Sequence, residues 1–113
     1  MPRFTVLEHD WPMLHWDLFL EAGTVLRAWR LLTEPAPGRS VSVEVGANHR
    51  LLYLDYEGPV SGGRGSVRRL DAGSFTWVTD GTERVEVELR GTLFNGRCVI
   101  SPDAAGRLYA AFG

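Results

Sequence analysis

The chain has 113 residues, a formal net charge of −2, 44% apolar and 23% charged residues, and one cysteine, Cys98. This size suits a single domain, 1–113, and excludes an internal disulfide framework and a polyanion binder driven by overall charge. No apolar run approaches the roughly 20 residues a membrane span needs, so no membrane partner is expected.

Taken in chain order, the apolar pattern has a period of two, which marks strands with one buried face. Candidate strands are Arg3–Glu8, Leu14–Glu21, Thr24–Leu32, Ser40–Val45, Gly65–Asp71, Ser74–Thr79, Arg84–Arg90, Arg97–Ser101 and Arg107–Phe112. Between them lie Ala22-Gly23, Pro35-Ala36-Pro37-Gly38, Leu70-Asp71-Ala72-Gly73, Asp80-Gly81 and Phe94-Asn95-Gly96, all rich in turn-forming residues. No segment keeps a helical period for several turns; the best candidate is a turn or two around Asn48–Tyr56. The expected fold is all-β, a small antiparallel barrel of about eight short strands with at most one or two short helical turns. Closure into a barrel would also remove the exposed edges of a small sheet. Cys98 lies in the alternation Arg97-Cys98-Val99-Ile100 and reads as a core residue.

All twelve basic residues are arginine. Guanidinium forks match phosphate oxygens, but a coding bias toward arginine gives the same composition.

The stretch His9–Glu21 holds two histidines, two tryptophans and three acidic residues. On a strand, Leu14, Trp16, Leu18 and Leu20 share one face, and His15, Asp17, Phe19 and Glu21 the other. His15 and Asp17 then stand about 6.6–7 Å apart along the strand and can converge on one ion. His9 precedes them by six residues, across a bend set by Pro12. Two imidazoles and a carboxylate suit a divalent transition metal with open positions for water or substrate. The same residues also fit a strand edge with ordinary hydrogen bonds. In a second cluster, His49, Tyr53 and Arg64 suit anion binding or protonation of a leaving oxygen, with the glycine loop Gly62–Gly65 offering backbone N–H groups. A tight turn with Tyr53 and Tyr56 as wall residues accounts for that pattern as well.

The order of these motifs resembles the 3′-phosphoesterase domain of bacterial DNA ligase D. The resemblance is carried by His9-Asp10, Leu14-His15-Trp16-Asp17, Leu20-Glu21, Gly23 and Val25-Leu26-Arg27-Ala28-Trp29. It continues through His49, Tyr53, Tyr56-Glu57-Gly58 and Gly62–Val67, and is echoed by Leu89, Gly91, Leu93 and Gly96. It implies a small barrel that trims 3′ ends of DNA, removing a terminal ribonucleoside and then the 3′-phosphate; with one cysteine and no secretory signal pattern, a reducing cytoplasm is the default location. The resemblance further implies manganese as cofactor, with zinc or another transition metal as the alternative. By position it makes His9, His15 and Asp17 the metal ligands, and gives His49 and Tyr53 the scissile phosphate. Separate ligase or polymerase repair proteins are the expected partners, and a monomer is the default state.

Two positions depart from that pattern. Phe19 stands where the family has an arginine, and Thr33 where it has a lysine. Losing one key charge-stabilising donor often costs about 2.7–4 kcal/mol of transition-state stabilisation. Arg30, Arg39 and Arg64 are the candidates to replace those cations. A barrel that binds DNA ends or a repair partner without catalysis, and an enzyme acting on another phosphate ester, are the competing expectations.

Overall fold

The period-two alternation folds into nine antiparallel strands in the computed structural model, which describes residues 1–113. They are β1 (Arg3–His9), β2 (His15–Ala22), β3 (Val25–Leu31), β4 (Ser40–His49), β5 (Gly58–Pro59), β6 (Ser66–Asp80), β7 (Val85–Gly91), β8 (Asn95–Pro102) and β9 (Leu108–Phe112). The single helical element is a 3₁₀ turn, Leu51–Leu54, inside the expected Asn48–Tyr56 window. No helix is long and apolar enough to cross a membrane.

Neighbours run β1-β2-β3-β4-β9-β8-β7-β6, and β1 pairs with β6 to close the ring. Eight strands therefore form an antiparallel barrel, with the two-residue β5 added beside β6. Closure leaves none of those eight strands with a fully unpaired edge, which answers the edge problem of a small sheet.

The barrel interior is filled by alternate residues of every long strand, among them Phe4, Val6, Leu18, Leu20, Trp29, Phe75, Val87 and Ile100. Cys98 belongs to this core; burial pushes its thiol pKa up to about 12, so it stays protonated and unreactive at neutral pH. A second, smaller core lies on the outside of the barrel wall. There Leu7, Phe19, Leu26, Ala28 and Val67 are covered by Leu54 of the 3₁₀ turn. Burial on both faces of β2 departs from the expected one-faced strand, because the crossover from β4 to β5 folds back over β1–β3.

Two other expectations need correction. Leu14 is exposed and precedes β2 rather than joining the core face. The segment Leu70–Gly73 does not break the chain: β6 runs unbroken through it, pairing with β1 over Arg3–His9 and with β7 from Gly73 onward. Gly73 is needed there because a Cβ would sit 2.0 Å from the Arg90 carbonyl oxygen. Its glycine serves a close approach of strands rather than a turn.

Candidate metal centre

The β1–β2 ladder sets His9 directly opposite His15 and Leu7 opposite Asp17. Cross-strand partners project to the same side of a sheet, so His9, His15 and Asp17 come together through register. The bend at Pro12 is not what swings His9 over; strand pairing does it. The two imidazole centroids are 4.9 Å apart. Asp17 Oδ2 lies 3.3 Å from His15 Nε2 and 3.9 Å from His9 Nδ1. One ligand atom from each of the three falls within 4.8 Å of the others.

Backbone carbonyls fix which nitrogen of each ring faces that point. His9 Nε2 donates to the Arg64 carbonyl at 2.8 Å, and His15 Nδ1 to the Met13 carbonyl at 2.9 Å. A carbonyl can only accept, so each bonded nitrogen carries the proton and the other carries a lone pair. Those lone pairs, on His9 Nδ1 and His15 Nε2, face Asp17. His15 is buried, and its Nε2 has no hydrogen-bond partner. An orphaned, buried imidazole nitrogen beside a carboxylate oxygen is costly unless something electropositive completes it. The three residues thus fit a divalent cation bound by two neutral imidazoles and one carboxylate.

The cluster lines a pocket of about 390 Å³ whose wall also includes Trp11, Phe19, Arg30, His49, Arg50, Tyr53 and Arg64. His49 ends β4, and Tyr53 sits in the 3₁₀ turn, so they do not share one element as a single helix or strand would arrange them. Their rings are nevertheless 5.7 Å apart, edge to face. His49 Nδ1 donates to the Ala47 carbonyl at 2.8 Å, leaving Nε2 as its other polar atom.

The proposed phosphate-binding arginines separate. Arg30 is the β3 partner of Asp17, is exposed and lines the pocket. Arg64 also lines it, while its guanidinium bonds the Ser61 carbonyl at 2.7 Å. Arg39 does not line it: it precedes β4 and donates to the Glu34 carbonyl at 2.9 Å. The glycine loop also differs from expectation, since the group it turns to the metal cluster is the Arg64 carbonyl rather than an N–H.

Trp11 and Arg50 were not singled out by sequence reasoning. Arg50 follows His49 directly, and its adjacency was the available signal; nothing in the sequence tells which way it points. A second cleft of about 200 Å³ at the β3–β4 side, lined by Arg27, Trp29 and Glu83 among others, holds no histidine.

The family model described as the DNA ligase D 3′-phosphoesterase domain matches residues 7–101, which include His9, His15, Asp17, His49 and Tyr53. No curated protein matches the chain.

Proposed function

The chain belongs to the DNA ligase D 3′-phosphoesterase domain family, and from that premise we propose that it is a metal-dependent phosphoesterase that trims 3′ ends of nucleic acid. The proposed substrates are DNA ends carrying a 3′-phosphate or a 3′-ribonucleotide, met in repair alongside separate ligase or polymerase proteins. The observation that carries the reading is the convergence of His9, His15 and Asp17 with both imidazole lone pairs turned to the carboxylate.

His9, His15 and Asp17 would hold the ion, with manganese as the first candidate and zinc or another transition metal as alternatives. When bound, such an ion polarises a phosphoryl oxygen and makes water more acidic. Arg30, Arg50 and Arg64 surround the pocket and have no carboxylate partner in it, so they are free to draw a phosphate in and orient it. His49, in its imidazolium form, can donate from Nε2 to the leaving oxygen, while its Nδ1–H stays on the Ala47 carbonyl. The Tyr53 hydroxyl is a second donor for a phosphate oxygen. Trp11, 42% exposed on the pocket wall, offers a face on which a terminal base can stack.

The test is phosphate release from a 3′-phosphorylated oligonucleotide and nucleoside release from a 3′-ribonucleotide primer by manganese-loaded protein. His15→Ala should lower both by more than about 100-fold, since even outer partners of a metal ligand are worth 10–100-fold. Arg30→Ala should lower kcat/KM by about 10²–10³-fold, the usual loss for one charge-stabilising donor. Arg39→Ala should leave it unchanged. DNA binding with no turnover would instead support a barrel that recognises ends without processing them, a reading favoured by the apolar Phe19 in the pocket. Release from other phosphate esters alone would move the substrate class.

A further inference from the structure

The β1–β6 ladder ends at the pair His9 and Val67, and the next residue, Asp10, extends it with its side chain. Asp10 Oδ1 accepts the Ser66 backbone N–H at 2.8 Å, and Oδ2 lies 3.5 Å from the Ser66 hydroxyl. Gly65 packs its bare backbone against this carboxylate: a Cβ there would meet Asp10 Oδ1 at 2.2 Å and Trp11 Cβ at 2.6 Å. Gly65 also has φ +72°, a conformation L side chains rarely adopt. The turn is closed by the Val60 N–H on the Gly65 carbonyl at 2.8 Å. Held at both places, the loop presents the Arg64 carbonyl to His9 Nε2 at 2.8 Å.

We propose that Asp10 is a positioning residue for the metal centre: by pinning the glycine loop, it fixes the Arg64 carbonyl and through it the metal-facing tautomer of His9. This rests on the metal reading of His9, His15 and Asp17. The arrangement is selective. His15 takes its tautomer from Met13, two residues away in the β1–β2 turn, and His49 from Ala47 on its own strand. Neither depends on the loop. Release of the loop therefore frees one ligand only, and His9 then exchanges between its two neutral tautomers, one of which turns an N–H toward the ion.

The test uses the full chain with Asp10→Ala and Asp10→Asn. Manganese affinity is read by titration with paramagnetic resonance of the free ion, histidine tautomers by ¹⁵N NMR of the metal-free protein, and folding by thermal unfolding. Asp10→Ala should weaken manganese binding about 10–100-fold, the usual cost of losing an outer partner of a ligand. It should also abolish the single Nε2–H form of His9 while His15 and His49 keep theirs. Asp10→Asn retains an oxygen for the Ser66 N–H and should stay close to wild type in both readouts. Unchanged affinity or an unchanged His9 in Asp10→Ala overturns the proposal. Equal weakening by both variants overturns it too, because the aspartate would then act by charge and not by holding the loop. Should Asp10→Ala not fold, Gly65→Ala, which pushes the loop off Asp10, carries the same expectations. Wild type that binds no manganese sinks the metal reading instead, and the His9 tautomer in the metal-free variants still decides the role of Asp10.

Discussion

Phe19 shows how one residue can serve packing and the site together. It is 2% exposed, wedged among Leu7, Leu26, Ala28, Leu54 and Val67, and its ring lies 4.8 Å from that of His49 and 6.2 Å from that of Tyr53. It is the floor on which those two rings rest. Phe19→Ala should cost about 3–5 kcal/mol, as for other buried phenylalanines, read by urea unfolding. Phe19→Arg should be no milder, since it buries a cation with no carboxylate among those neighbours. A variant that gains activity and keeps its stability would show that the arginine reaches the pocket after all. The positive charge of this pocket comes from other positions, and Arg30, opposite Asp17 on β3, is the one set on the same face as His15 and Asp17.

At the scale of an element, β6 determines whether the barrel closes. Its first half pairs with β1 and its second with β7, and the crossing from one to the other passes through Asp71, Ala72 and Gly73. Asp71 is buried and its carboxylate accepts the backbone N–H groups of Thr92, Leu93 and Phe94 at 3.0, 3.0 and 2.8 Å. A residue that reads as a turn former in sequence thus anchors the neighbouring β7–β8 turn. Gly73→Ala would drive a methyl into the Arg90 carbonyl and should cost at least the 1–3 kcal/mol typical of overpacking. Thermal unfolding checks it, and a melting temperature equal to wild type would mean that the strands can part at no cost. The same element carries Ser66 and Val67, so a loosened β6 also loosens the loop that holds His9.

Across the whole molecule, the arginines divide by partner. Arg3, Arg27, Arg68, Arg69, Arg84 and Arg97 each face a carboxylate, whereas Arg30, Arg50 and Arg64 line the pocket without one. The composition is therefore not an array of phosphate readers; three guanidinium groups without a carboxylate partner gather in one groove, where they can act on an anion, while Arg39 and Arg90 bond a backbone carbonyl and two hydroxyls elsewhere. The ion pairs also contribute to the acid dependence of stability. A hydrogen bond from Arg3 lowers the Asp55 carboxyl below its ordinary 3.8, and one from Arg84 lowers Glu86 below 4.5. The folded chain then holds fewer protons than the unfolded one over that range, so the stabilisation is present above those ordinary values and lost as pH falls through the depressed ones. Melting temperature should be flat down to about pH 5 and fall below it. The double variant Asp55→Asn/Glu86→Gln should shallow that acid limb, modestly because both pairs lie at the surface and their arginines are open to solvent. An unaltered limb would assign the acid loss to other carboxylates.

Sequence alone determined most of the strands and the barrel, and it singled out His9, His15 and Asp17, because each is written in local alternation or in the order of chemically distinctive residues. His9, His15 and Asp17 stand out as imidazoles and a carboxylate in an apolar stretch, and period-two alternation survives whatever the strands pair with. What pairing supplies cannot be read that way. The burial of both faces of β2, the unbroken path of β6, the exclusion of Arg39 from the pocket and the inclusion of Arg50 and Trp11 all depend on contacts between residues far apart in the chain. So does the choice of imidazole nitrogen. His9 faces Asp17 through Nδ1 because a carbonyl 55 residues away in the chain takes the proton on Nε2, and only the closed barrel brings the two together.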